Sequence, residues 1–234
     1  MSHPDREKVD IVVADHLTEK AQRIFERTSF LGGGIPQGFS SYGRAQLITL
    51  LRQGLNPESQ FIEIGCGCLR AGYWFIHLLN PGGYHGIEPN RELLQAGKEI
   101  LFDPGFLEQK RPSFDHNTEF DLDVFGTRFD FFLARSIWTH ASKQQIQSML
   151  DGFLANSNDG AVFLASYKDP IPLIRPDYKG DTWVGESHDS KVKGIVRHSF
   201  RWIRQQCEDR GLTVVKLKQD NFRNQKWLRI DRID

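Results

Sequence analysis

The chain has 234 residues, 39% of them hydrophobic and 26% charged, which describes a folded globular protein and excludes a disordered tail. Lys plus Arg and Asp plus Glu both total 30, so the formal net charge is zero, and nothing in the totals supports bulk electrostatic capture of nucleic acid. No apolar run reaches the roughly 18 residues of a membrane span, and Met1–Asp10 is too polar for a secretory signal, so a cytoplasmic protein is expected.

In chain order, Val9, Val13, Leu17, Ala21, Ile24 and Phe25 recur at helical spacing. Gly32-Gly33-Gly34 ends that helix. A second helix is predicted from about Ser41 to Arg52, and Asn56-Pro57 breaks the chain after it. Strands are then predicted at 61–64 and 84–88, near Phe114, and at 129–134, 160–166, 213–218 and 227–230. Helices are predicted between them at 71–79, 91–101, 143–154 and 198–210. This alternation predicts an α/β fold, a Rossmann-like, seven-stranded, mostly parallel sheet with helices on both faces. The last two strands are close enough in sequence to be antiparallel neighbours. The whole chain, 1–234, is read as one domain. Residues 1–55 form an N-terminal helical cap, and 167–197 form a loop long enough to act as a lid.

The turn Glu63-Ile64-Gly65-Cys66-Gly67-Cys68-Leu69-Arg70 follows a predicted strand and opens a predicted helix. Glycines there let the backbone approach a ligand where a Cβ would clash. Glu88 ends the next strand, at the distance expected of a carboxylate that grips ribose hydroxyls. The dinucleotide fingerprint needs a glycine where this chain has Arg70. Glu63, two residues before the first glycine, repels a pyrophosphate and attracts a cationic amine. Adenosylmethionine carries such an amine and a sulfonium.

On these residues, with Gly86-Ile-Glu88-Pro89-Asn90, Phe129-Asp130-Phe131, Ser136-Ile-Trp-Thr-His140 and Gln225-Lys-Trp227-Leu, the chain resembles the class I adenosylmethionine-dependent methyltransferases. The resemblance covers nearly everything after about residue 40. It implies that Gly65, Cys66 and Gly67 lie under the cofactor S-adenosyl-L-methionine, Glu63 near its methionine amine, and Glu88, Pro89 and Asn90 around its ribose. Leu69 stands where the family has its third glycine, and Arg70 is left to meet the methionine carboxylate. In the family the loop after the third strand often binds the adenine amine. Asn117 or Asp115 can do so here, and a plain solvated loop is the alternative.

Ala134, Arg135 and Ser136 end the fourth strand beside the switch point, where open α/β sheets bind ligands. Trp138 and His140 follow and are placed toward the methyl acceptor. His140 is either a general base or a residue that orients the helix beginning at about Ser142. The long loop supplies Tyr167, Trp183, His188 and His198 as acceptor contacts, or else lies on the surface with Trp183 packed on the domain. Tyr42 and Arg44 are the candidates from the cap. Cys66, Cys68 and Cys207 suit neither a disulfide framework nor a zinc site, and no metal is expected. The expected activity is methyl transfer to an oxygen or nitrogen of a small molecule, such as a sugar or a secondary metabolite. A nicotinamide-dependent oxidoreductase and a non-catalytic adenosylmethionine-binding module are the alternatives.

Overall fold

The computed structural model describes residues 4–31, 36–187, 190, 192–218 and 224–233, with side chains from residue 16 onward. The Gly32–Gly34 turn and His188 lie outside the described residues. The helices are α1 (Pro4–Thr28), α2 (Phe39–Leu51), α3 (Gly72–Leu78), α4 (Arg91–Leu101), α5 (Phe106–Lys110), α6 (Lys143–Asn156) and α7 (Phe200–Glu208). The strands are β1 (Phe61–Ile64), β2 (Tyr84–Ile87), β3 (Ser113–Asp115), β4 (Phe129–Ala134), β5 (Ser157–Tyr167), β6 (Leu212–Lys216) and β7 (Lys226–Arg232).

The seven strands form one sheet in the order β3-β2-β1-β4-β5-β7-β6. Every neighbouring pair from β3 to β5 is parallel, and β7 runs antiparallel to both β5 and β6. The predicted fold class is therefore the observed one. The order turns back at β1 and β4, so the crevice at their carboxyl ends is the place where an open α/β sheet takes a ligand.

Alternation along the strands divides the apolar residues between the two faces. Phe61, Tyr84, Phe131, Leu133 and Leu164 pack with Leu17 and Ile24 of α1, Leu50 of α2, Phe75 of α3 and Leu94 of α4. Ile62, Ile64, Phe132, Ala134 and Phe163 pack on the other side with Ile146, Leu150 and Phe153 of α6 and Ile203 of α7. Burial on both faces explains why these strands read as nearly unbroken apolar runs.

Caps place the helix starts. Asn90 Oδ1 accepts from Leu93 N at 3.0 Å and opens α4. Ser142 and Gln145 make a reciprocal capping box at the start of α6. Ser199 caps α7, which moves that start two residues past the predicted His198. α5 and the 3-10 turns at Pro36–Gly38 and Asp123–Phe125 were not predicted. Each has at most five residues, too few to show a helical period.

On the α6 face, Phe163 is fully buried against Phe132, Phe153 and Trp138, with ring centroids 5.6–6.0 Å apart. Phe163→Ala is expected to cost about 3–5 kcal/mol of unfolding free energy, the range for removing a buried aromatic ring. Urea unfolding measures it, as a lower midpoint at unchanged slope.

Candidate functional site

Glu88 follows the last residue of β2, and four contacts hold it. Its Oε2 accepts from Gly67 N and its Oε1 from Asn90 N, both at 2.9 Å. Its own N–H donates to the Asp115 carbonyl at 3.0 Å. His116 Nδ1 lies 2.7 Å from the Glu88 carbonyl oxygen and donates to it. The turns after β1 and β2 and the end of β3 thus meet on one residue.

The turn after β1 is built on left-handed backbone. Gly65 has φ +74° and Gly67 has φ +57°. A Cβ on Gly65 would sit 2.2 Å from Ile137 Cδ1, whereas a Cβ on Gly67 would meet nothing within 4 Å. Gly65 is thus required for close packing, and Gly67 borders open space. Leu69 keeps the left-handed conformation that a glycine would favour, at φ 63°, with its side chain fully buried.

That open space belongs to a cleft of about 700 Å³. Of the residues singled out in the sequence, Gly65, Gly67, Glu88, Pro89, Asn90, Asn117, Arg135, Ser136, His140 and Trp183 line it. They come from the carboxyl ends of β1, β2, β3 and β4 and from the loop after β5. Asn117 lines the cleft and Asp115 does not. The Asn117 amide is engaged within its own loop, since Nδ2 donates to Asp115 Oδ1 and to the Asp121 carbonyl. Burial pushes the Asp115 carboxyl up, yet hydrogen bonds from Asn117 hold it below the usual value.

Arg135 and Ser136 anchor the β4 side. Arg135 Nη1 donates to Ser166 Oγ at 2.8 Å and to Gln225 Oε1, and its guanidinium lies 4.9 Å from the Trp227 ring centre. Ser136 has φ 63° and donates its N–H to Ser166 Oγ at 2.8 Å. Gln225 Nε2 donates to Ser136 Oγ at 2.9 Å and closes the network.

His140 faces the loop after β5. Its Nδ1 is 2.6 Å from the Val184 carbonyl oxygen, and its ring stacks on Trp183 with centroids 5.4 Å apart. Burial lowers its pKa, which disfavours the charged ring.

Other predicted contacts sit elsewhere. Trp138, Tyr167 and His198 are fully buried, so they cannot touch an acceptor in the cleft. Trp138 packs edge-on against Phe163. Tyr167 donates to Asp169 Oδ1 at 2.9 Å, and His198 Nε2 donates to the Ala141 carbonyl at 3.0 Å. Ala134 is fully buried in the core beside β5. Cys66 and Cys68 are buried loop fillers. Burial raises both thiols, and the charges of Glu63 and Glu88 raise Cys66 further.

Arg70 and Tyr42 also stay out of the cleft lining. Arg70 Nη2 donates to the Leu31 carbonyl, and its guanidinium lies over the rings of Phe39 and Tyr42. It bolts the glycine turn to the segment between α1 and α2. Glu63 is 4% exposed and accepts from Tyr84 OH at 2.6 Å, with its carboxyl behind β1 rather than in the cleft.

Sequence reasoning missed other lining residues. Ile64 and Ile87 are strand ends beside Gly65 and Glu88, a signal the sequence did contain. Phe30, Gln144, Ser148, Asp181, Glu186 and Lys193 come from a helix exit, a helix flank and a loop, where no local pattern marks them. Among the described residues no cluster of His, Cys, Asp or Glu can hold a metal ion, and no helix is long and apolar enough to cross a membrane.

No protein-family model matches the sequence, and no curated protein matches it. Solved structures do. Magnesium protoporphyrin IX methyltransferase (ChlM) from Synechocystis PCC 6803, with bound SAM, is 13% identical at TM-score 0.57, covering 95% of this chain and 96% of that one. The glycopeptide N-methyltransferase MtfA, complexed with (S)-adenosyl-L-methionine, is 13% identical at TM-score 0.59, covering 81% and 94%. A S-adenosylmethionine-dependent methyltransferase from Clostridium acetobutylicum ATCC 824 is 9% identical at TM-score 0.60, covering 92% and 98%. Likeness at these identities defines the fold, which is that of the adenosylmethionine-dependent methyltransferases.

Burial is the main cause that raises the Glu63 carboxyl to about 8, while the Tyr84 hydroxyl pulls it back. A raised carboxyl contributes stability that is present below its unfolded value and lost as pH rises through its folded one. The wild type should therefore lose stability relative to Glu63→Gln between about pH 5 and pH 9, as read from the difference in urea midpoints.

Proposed function

We propose that this protein is an S-adenosylmethionine-dependent methyltransferase that methylates an oxygen or nitrogen of a small polar molecule. The observation that carries the reading is the pairing of Glu88 with the Gly67 turn. A fixed carboxylate stands beside a turn whose second glycine opens onto a cleft. Glu88 Oε2 accepts from Gly67 N and its Oε1 from Asn90 N, which fixes the carboxylate at the strand end where an acid that grips ribose hydroxyls is expected. Ile64, Ile87 and Leu93 supply apolar walls for an adenine ring. The residues present fit adenosylmethionine in kind.

When bound, adenosylmethionine supplies a methyl group on a sulfonium, and transfer to an acceptor lone pair leaves a neutral thioether. The chain's part is to align the acceptor, exclude water and take its proton. His140 suits the last task, because its neutral ring has Nδ1 committed to Val184 and Nε2 left as the acceptor atom. Residues 167–197 act as the lid over the acceptor end, with Asp181, Trp183, Glu186 and Lys193 on its inner side. Residues 1–55 act as the cap, bolted on by Arg70 and by Arg27, which lies 2.5 Å from Glu99 of α4. A cleft lined by Glu88, Arg135, Asp181, Glu186 and Lys193 carries charges of both signs, which suits a sugar or secondary metabolite better than a nucleic acid. Cys66, Cys68 and Cys207 are free and buried, which suits a reducing cytoplasmic compartment.

A nicotinamide-dependent oxidoreductase shares Glu88 but not the rest. Dinucleotide-binding sheets run 3-2-1-4-5-6, whereas β7 here enters antiparallel between β5 and β6. The fingerprint's last glycine is also replaced by Arg70, which turns toward Leu31.

Calorimetric titration with adenosylmethionine, adenosylhomocysteine and NAD tests the proposal. Saturable binding of the first two alone is the expected result. Binding of NAD alone, or of none of them, overturns it. Glu88→Ala should weaken adenosylmethionine binding by about 10-fold or more, the loss of a hydrogen bond to a charged group.

A further inference from the structure

The β4–α6 connection and the loop after β5 are joined at three consecutive residues. The Thr139 carbonyl accepts from Val196 N at 2.8 Å, and the Ala141 carbonyl accepts from His198 Nε2 at 3.0 Å. Between them the His140 carbonyl accepts from Val184 N at 2.9 Å, while His140 Nδ1 reaches back to the Val184 carbonyl at 2.6 Å. Val184 therefore holds both the backbone and the ring of His140. A carbonyl oxygen only accepts, so this contact requires the proton on Nδ1 and leaves the lone pair on Nε2.

Two neighbours make the contact possible. Trp183 lies nearly parallel to the imidazole, at an interplanar angle of 23°, and fixes the plane of the ring. Gly185 has φ +138°, a backbone conformation that side chains rarely adopt. A Cβ on Gly185 would sit 2.3 Å from His140 Nδ1 and 2.8 Å from Cε1. That is inside the space the ring occupies. Only glycine lets the Val184 carbonyl come this close to Nδ1.

We propose that Trp183, Val184 and Gly185 form a positioning element that sets the tautomer and orientation of His140, so that the form with a basic Nε2 is the favoured one while this segment of the loop is seated. The inference rests on the methyltransferase reading for the use made of that base. In the transfer step the acceptor's O–H or N–H bond breaks and its proton passes to Nε2. The Nδ1–H stays donated to Val184, and the resulting imidazolium keeps that bond. Away from the latch, a neutral histidine ring favours the proton on Nε2, so the population with a basic Nε2 falls. Lid seating and base orientation are therefore coupled. Burial also lowers the pKa of His140, which favours the neutral ring.

Long-range ¹H–¹⁵N correlation spectra of the ¹⁵N-labelled full chain, recorded without cofactor on the alkaline side of the ring's titration, test the latch directly. His140→Gln identifies the signals. The expected pattern for His140 is a pyrrole-like Nδ1 and a pyridine-like Nε2, and the reverse pattern overturns the proposal. Gly185→Ala should shift His140 toward the Nε2–H form. It should also lower turnover on a responsive acceptor by about tenfold, the scale of a proton-transfer contribution, with adenosylmethionine affinity unchanged. An unchanged tautomer in a folded Gly185→Ala overturns the role of Gly185. If that variant does not fold, the wild-type spectrum decides alone. The spectrum needs no cofactor and the calorimetry needs no tautomer, so failure of the latch and failure of the methyltransferase reading are told apart.

Discussion

The carboxylate of Glu88 is the joint on which the cleft depends. One oxygen binds the glycine turn after β1 and the other binds the start of α4, while its backbone N–H reaches the end of β3. Three separate segments are brought to a common edge by one residue, two of them by its side chain and one by its backbone. Charge makes this effective, because an ionised carboxylate makes stronger bonds to backbone N–H groups than a neutral acceptor does.

The opposite wall works differently. Arg135, Ser136, Ser166 and Gln225 form a closed polar network between the end of β4, the end of β5 and the entry to β7. Fully satisfied networks of this kind are rigid, since any member moved leaves another unpaired in a partly buried place. His140 stands just beyond it, held by the loop rather than by the sheet. The cleft thus has one half made by strand ends and the other by a loop.

Much of this was legible in the sequence. The strand runs, Gly65, Gly67 and Glu88 announced themselves because backbone conformation and strand position restrict which residues can occupy those points. The helix at 91–101 was legible through its period, and the one expected at 143–154 runs two residues further, to Asn156. The side assigned to the acceptor was legible only at His140 and Trp183. Trp138, Tyr167 and His198 carry residue types common in active sites, and all are buried. Composition does not say which side of a loop faces inward. Arg70 was placed toward a ligand carboxylate because its position in the turn suggested it, but the cap segment supplied a competing partner at Leu31. Contacts between distant segments decide such cases, and a local pattern carries no trace of them.

The place of β7 in the sheet has a consequence for how the chain is made. β6 pairs only with β7, and β7 must enter between β5 and β6. During synthesis β6 therefore leaves the ribosome with no strand to pair with, and stays unpaired until residues 226–232 follow it. Gln225, at the entry to β7, is also the residue that closes the network around Arg135. The wall of the cleft beside β4 is thus assembled last, by the same strand that completes the sheet. A chain short of β7 lacks Gln225, and with it the residue that ties Arg135, Ser136 and Ser166 together.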